Sequence, residues 1–384
     1  MLVNADDYEA QARRTLPKFV YDYLRGGAEA EQSLRLNAED LARVRLLPSF
    51  LTGNTQVDLS IELFGQRWRA PFAVAPVGLC GLVRPRGDAM LACAAARAGV
   101  PHILSTASNT LLEELHDGLT PALQWLQLYV LSDRSLAEQL LKRATAARFG
   151  AVVLTVDVPV SGARERDARN AFRLPFRVTP RLAFDVLCQP GWLMRLARGG
   201  SPEFVNLVPP GNVRKAGNAQ AQAALLAREM DRTLDWDSLK WVRKHWQGPL
   251  LLKGILHPWD AQRAMAHGVD AIVVSNHGGR QFDGAPSSIS ALPGVVDAVE
   301  GRMPVLVDGG FRRGTEILKA LALGARGVLL GRAPVYGLAA DGEQGVGAVL
   351  EMLRQEVERA TTLLGVRAVG QLGRDHVAPA DWLP

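Results

Sequence analysis

Short apolar runs rich in β-branched side chains recur at residues 72–76, 102–105, 125–129, 152–157, 250–253, 271–274, 304–308 and 327–330. Runs that are apolar on both faces are expected of strands buried in a parallel sheet. Between most of them the period lengthens to that of amphipathic helices, at 88–98, 135–149, 258–267 and 314–323, and many of these stretches end in glycine, a common helix stop. Eight strand-then-helix units in series predict an α/β fold, a (β/α)8 TIM barrel over residues 71–360, with a doubly wound sheet as the alternative. Residues 1–70 stand ahead of this rhythm as an N-terminal helical extension, with helical patterns at 8–14 and 17–26, the second opening at Pro17 and closing at Gly26-Gly27. The fourth unit is swollen into a long insert after strand 4, and the chain 1–384 is expected to form one domain.

A barrel gathers its chemistry at the carboxyl ends of its strands. Those ends carry Pro76-Val77-Gly78, Ser105, Gln127 with Tyr129, Thr155 with Asp157, Lys253, Ser275 with His277, Asp308, and Gly331-Arg332, whereas the amino ends carry Pro71, Pro101, Pro249 and Pro304. The richest is Ser275-Asn276-His277-Gly278-Gly279-Arg280-Gln281. Its glycines permit a tight turn and close approach of backbone to a ligand. His277 offers a proton acceptor that works near neutral pH, and Arg280 a rigid fork for a carboxylate. A lone His in such a turn would be a cap and a lone Arg a solvated charge; their company at neighbouring strand ends argues for a site. Asp308-Gly309-Gly310-Phe311-Arg312 and Gly331-Arg332 follow strands seven and eight, where barrels of this kind often bind phosphate. Glycine amides with Arg312 and Arg332 suit a phosphate monoester, and Asp308 suits hydroxyl groups. No GxGxxG follows the first strand, which counts against a nicotinamide-binding domain.

Composition adds limits. The net charge of +5 suggests nucleic acid until its distribution is read. Residues 173–215 hold seven basic residues against two acidic ones, so this basic insert carries the whole excess and no nucleic-acid partner is expected. Large apolar residues are interspersed through the swollen fourth unit, 158–248, among them Phe172, Phe176, Phe184, Trp192, Leu193, Met194, Leu196 and Phe204. The insert suits a lid or subunit contact and an anionic membrane surface about equally. Cys80, Cys93 and Cys188 form no CxxC pair, so neither a disulfide framework nor a metal site is expected. With no signal-peptide pattern at the N-terminus and no apolar window of spanning length, a cytoplasmic location is expected.

Taken together, these motifs resemble the FMN-dependent α-hydroxy acid dehydrogenases and oxidases. The likeness runs over nearly the whole chain, through Tyr21-Asp22-Tyr23, Ala75 to Gly78, Gln127-Leu128-Tyr129, Leu154 to Asp157, Arg164 with Arg166-Asp167, Lys253-Gly254, Ser275 to Gln281, Asp308 to Gly310 with Arg312, and Leu330-Gly331-Arg332. The resemblance implies FMN as cofactor and a small 2-hydroxy acid as substrate. It implies that His277 takes the proton, that Asp157 orients it, and that Arg280 and Arg164 clamp the carboxylate. Tyr23 and Tyr129 would bond the carboxylate and the reacting hydroxyl. Lys253 would sit beside flavin N1 and O2, and Pro76, Val77, Gly78, Ser105, Gln127, Thr155 and Ser275 would hold the ring. Asp308, Gly310, Arg312, Gly331 and Arg332 would hold the ribityl phosphate. Within the family, residues 75–81 and 254–256 look like bacterial L-lactate dehydrogenases, while 104–109, 162–167 and the insert look like (S)-mandelate dehydrogenase, in which the insert attaches to the inner membrane. Other branches carry Trp where this chain has Ala107; with Gly78 it leaves room for a ring and favours an aromatic substrate. A quinone or oxygen could accept the electrons, as hydride or carbanion chemistry could deliver them. A homotetramer is implied. A flavin-free sugar-phosphate barrel or a binding protein without catalysis would not need His277, Arg280, Arg164 and Asp157 together.

Overall fold

In the computed structural model, which describes residues 1–53, 56–115, 120–170, 172, 179–200, 203–207 and 230–379, an antiparallel hairpin precedes eight parallel strands. The hairpin pairs β1 (Ile61–Leu63) with β2 (Gln66–Trp68). The barrel strands are β3 (Phe72–Val74), β4 (His102–Leu104), β5 (Gln124–Leu128), β6 (Ala151–Thr155), β7 (Leu250–Ile255), β8 (Ala271–Val274), β9 (Val305–Val307) and β10 (Gly327–Leu330). They close in sequence order, with β10 pairing β3, into the TIM barrel expected from the eight apolar runs. Every residue of these strands except Gly254 is buried, which is why the runs show no polar alternation.

The hairpin was not foreseen. Phe64 and Gly65 both have positive φ, 52° and 69°, as a two-residue type I′ turn requires. Trp68 is buried and packs edge-on against Trp125 of β5, ring centroids 5.5 Å apart, so the hairpin covers the amino end of the barrel.

The extension folds into α1 (Ala5–Thr15), α2 (Lys18–Arg25) and α3 (Gln32–Arg43). Asn4 caps α1 by accepting from the Asp7 amide. α3 buries Ser33, Asn37 and Leu41, a mostly polar inner face. A closing helix, Arg332–Leu363, bends at Asp341 and Gly342, whose backbone angles are non-helical.

In the insert, helices Pro180–Leu187 and Pro190–Gly199 lean on the extension. Trp192 is buried, donates its indole N–H to the Leu82 carbonyl at 2.8 Å and meets Phe19 edge-on at 6.0 Å. Phe204 is buried too, whereas Phe184, Leu187 and Met194 are exposed. Phe176, Arg173, Arg177, Arg214 and Lys215 lie outside the described residues.

Candidate active site

A cavity of about 870 Å³ opens at the carboxyl ends of the barrel strands, roofed by Tyr23, Leu24, Arg25 and Glu31 of the extension and by Phe172, Phe204 and Met230. Of the residues singled out from sequence, Tyr23, Pro76, Val77, Gly78, Ser105, Gln127, Tyr129, Thr155, Arg164, Lys253, His277, Arg280, Asp308, Gly310, Arg312, Gly331 and Arg332 line it. Asp157 and Ser275 stand immediately behind that wall, each bonded to His277.

The turn after β8 presents His277. His277, Gly278 and Gly279 take consecutive positive φ values of 58°, 62° and 73°, and for His that conformation is strained. Ser275 Oγ holds it, accepting from the His277 amide at 2.9 Å and from Lys253 Nζ at 2.9 Å. His277 Nδ1 lies 3.0 Å from Asp157 Oδ1, leaving Nε2 as the ring nitrogen not engaged by Asp157. Asp157 reaches this position because residue 254 is glycine: a Cβ there would lie 2.6 Å from the Asp157 Cβ. Burial disfavours the Asp157 carboxylate, but the charges of His277 and Lys253 outweigh it and hold its pKa below the ordinary value. Lys253 is buried beside Asp308, Nζ to Oδ2 3.1 Å; burial opposes its charge, and Asp308 with Asp157 more than restores it.

Two guanidinium groups flank the Tyr23 ring, Arg280 at 5.0 Å and Arg164 at 5.5 Å from its centroid. Arg280 Nη1 donates to the carbonyls of Tyr23 (2.7 Å) and Gly26 (2.8 Å), which fixes the fork from behind. Its pKa is lowered, by burial first and then by Arg164, so an anion between the pair is favoured on charge alone. The Tyr23 hydroxyl donates to the Gly78 carbonyl at 3.3 Å. Tyr129 is half-buried and its pKa is raised, by desolvation first and then by Asp157, so it stays a neutral phenol able to donate.

The geometry therefore joins a carboxylate-backed imidazole, a paired cationic fork and a neutral phenol at one mouth. The sequence profile described as FMN-dependent dehydrogenase matches residues 12–379. The chain belongs to that family. The L-lactate dehydrogenase of Caulobacter vibrioides (strain NA1000 / CB15N) is 45% identical over 97% of this chain and 96% of that protein. The (S)-mandelate dehydrogenase of Pseudomonas putida is 41% identical over 98% and 94%. A crystal structure of the monotopic membrane protein (S)-mandelate dehydrogenase superposes with a TM-score of 0.93 at 40% identity, covering 98% of this chain and 99% of that one. This FMN-dependent dehydrogenase accordingly oxidises 2-hydroxy acids.

The dehydrogenase's own residues fit FMN. Gln127 Oε1 accepts from Ser105 Oγ and the Thr106 amide, both at 3.2 Å, while Gln127 Nε2 has no partner. Thr155 Oγ1 and Asp308 Oδ1 are likewise buried without partners. Three orphaned polar atoms at one cavity wall await a ligand with donors and acceptors. Gly309 and Gly310 have φ of 102° and 92°, so their bare backbone forms the far end.

Arg312 and Arg332, expected from the sequence to hold a phosphate, are less free than that expectation suggests. Arg312 Nη1 pairs with Glu9 at 2.7 Å and lies over the Tyr336 ring at 4.9 Å. Arg332 donates to the carbonyls of Leu24, Gly278 and Gly26, each at 3.0 Å. Burial, then Arg280, lowers the Arg332 pKa to about 9, which marks a surplus of positive charge suited to a phosphate. Sequence reasoning missed Glu9, which also holds Arg25 at 2.7 Å; an acidic residue on a surface helix gives no signal of a partner some 300 positions away.

Proposed function

We propose that this enzyme oxidises an aromatic L-2-hydroxy acid, (S)-mandelate before L-lactate, to the 2-oxo acid and passes the electrons to a quinone. Bound FMN supplies the two-electron acceptor. His277 Nε2 takes a proton from the substrate's carbinol group, and Asp157, anionic beside Nδ1, orients the ring and stabilises the imidazolium that forms. Arg280 and Arg164 clamp the carboxylate, and Tyr23 and Tyr129 bond the carboxylate and the hydroxyl. Lys253 places its ammonium where negative charge collects on the ring. Gln127, Thr155, Ser105 and Ser275 with the backbone of Pro76, Val77 and Gly78 hold that ring, and Asp308, Gly310, Arg312, Gly331 and Arg332 hold the ribityl phosphate.

One observation carries the aromatic preference. Gly78 and Ala107 share a wall of the cavity, so close that a Cβ on Gly78 would lie 3.2 Å from that of Ala107. Two minimal side chains leave the adjoining space to a ring. The relatives named L-lactate dehydrogenase support the second reading, a short aliphatic substrate. Comparing kcat/KM for (S)-mandelate and L-lactate tests the choice; a clear preference for L-lactate rejects the aromatic reading.

The quinone acceptor and a peripheral membrane site go together. Among the described residues no helix is long and apolar enough to cross a membrane. Helices Pro180–Leu187 and Pro190–Gly199 instead turn Phe184, Leu187 and Met194 outward beside exposed Arg198, a composition suited to an anionic bilayer surface. Anaerobic turnover with a quinone, set against aerobic turnover without one, tests the acceptor. Sedimentation of the purified enzyme tests the homotetramer.

A further inference from the structure

We propose that Asn37, on α3 and outside the barrel, is a positioning residue for the turn that carries His277 and Arg280, acting through a reciprocal amide pair with Asn276. Asn37 Nδ2 donates to Asn276 Oδ1 at 2.9 Å, and Asn276 Nδ2 donates to Asn37 Oδ1 at 3.0 Å. Both side chains are buried, at 0% and 4% exposure. The remaining valences are spent on the same turn. Asn276 Oδ1 also accepts from the Gly279 amide (3.1 Å), Asn276 Nδ2 also donates to the Pro286 carbonyl (3.1 Å), and Asn37 Oδ1 also accepts from the Ser288 amide (3.2 Å).

The turn needs such support. Residues 277–279 hold three positive φ values in succession, one of them on a histidine, and a strained conformation persists only where its surroundings over-determine it. The Asn276 carboxamide closes the turn from inside by bonding Gly279, and Asn37 fixes that carboxamide's orientation. Asn37 also adjoins Gly309, where a Cβ would lie 3.2 Å from its Oδ1. One helix of the extension thus braces both the turn after β8 and the neighbouring loop after β9. A buried polar pair in which both amide oxygens accept twice and each amide nitrogen donates specifies a single arrangement.

The inference rests on His277 acting as the base, and its test separates the two. The FMN-loaded enzyme is compared with Asn37→Leu, which keeps the volume and removes all three bonds. Ser33→Ala serves as the matched control, because Ser33 Oγ ties the same helix to the carbonyls of Phe282, Asp283 and Ala285 without touching Asn276. Asn37→Leu should lower kcat at least tenfold, with any rise in KM tracing to Arg280 on the same turn. It should also speed amide hydrogen exchange in residues 276–281, whereas Ser33→Ala loosens only 282–285. Added to Asn276→Leu, it should cost no further kcat. Should Asn37→Leu fail to fold, Asn37→Ser takes its place. Equal kcat in Asn37→Leu and Ser33→Ala, or losses that multiply with Asn276→Leu, would overturn the proposal. His277→Gln reports on the base alone: flavin reduction surviving there removes His277 from the mechanism, whatever Asn37 does.

Discussion

His277 Nδ1 and Asp157 Oδ1 meet 3.0 Å apart from the ends of two strands that are not neighbours, β8 and β6, with β7 between them. Gly254 on β7 makes the meeting possible by keeping its place beside Asp157 free of a side chain. The imidazole is thereby fixed in one tautomer and backed by an anion, so a neutral group of similar size cannot replace it. We expect His277→Gln to bind FMN normally and to lose flavin reduction by more than the roughly 10²–10⁴-fold of ordinary acid-base assistance, since flavin reduction cannot begin without deprotonation of the substrate. Stopped-flow bleaching at a tenth of the wild-type rate would remove His277 from this role.

The barrel and most of the cavity wall were legible because the same physics writes both. Strands buried on two faces must be apolar runs, and a site at their carboxyl ends must put polar residues at fixed offsets, as at Gln127, Thr155, Lys253 and Ser275. α3 was not legible for the opposite reason. Its inner face is Ser33, Asn37 and Leu41, polar because it hydrogen-bonds the loop that follows β8, so it lacks the apolar stripe that marks a packed helix. The hairpin strands are too short to show alternation. In the insert, composition could not tell Trp192 and Phe204, which pack inward, from Phe184 and Met194, which face out.

Two buried groups that take no part in the chemistry make opposite demands on pH. Asp88 is 1% exposed; burial, partly offset by hydrogen bonds from Ser108 and Asn109, pushes its pKa from 3.8 to about 6. Its contribution to stability is complete below pH 3.8 and is lost as pH rises through about 6. His102 is 2% exposed, and burial lowers its pKa from 6.5 to about 4. Its contribution is complete above pH 6.5 and is lost as pH falls through about 4. At about 1.4 kcal/mol per pKa unit, each amounts to roughly 3 kcal/mol, and across this window they oppose each other. Urea midpoints should therefore change little with pH in the wild type, rise with pH in Asp88→Asn, and fall with pH in His102→Gln. Parallel curves for all three would refute the assignment.

Ala107→Trp should separate ring-bearing from small substrates. An indole beside Gly78 fills the space assigned to a phenyl group, and overfilling a packed site costs about 1–3 kcal/mol, roughly 5- to 150-fold in kcat/KM. The loss should fall on (S)-mandelate, with L-lactate changed by less than about threefold. Equal losses on both would mean that Ala107 does not border the substrate's side chain.

The outward face of the insert gives the last expectation. Phe184, Leu187 and Met194 are 70%, 68% and 54% exposed, while Trp192 behind them is locked to Leu82, so apolar and basic groups are displayed on a base anchored to the barrel. Near an anionic surface each basic residue contributes about 1 kcal/mol, and the apolar side chains add their burial in the interface. Wild type should co-sediment with anionic vesicles, less so at high salt and not with neutral ones. Replacing Phe184, Leu187 and Met194 with Ser should release the enzyme while leaving flavin reduction by substrate intact, because none of the three lines the cavity. A lid predicts the reverse, with altered reduction and no dependence on lipid, and that outcome would reassign the insert to the pocket.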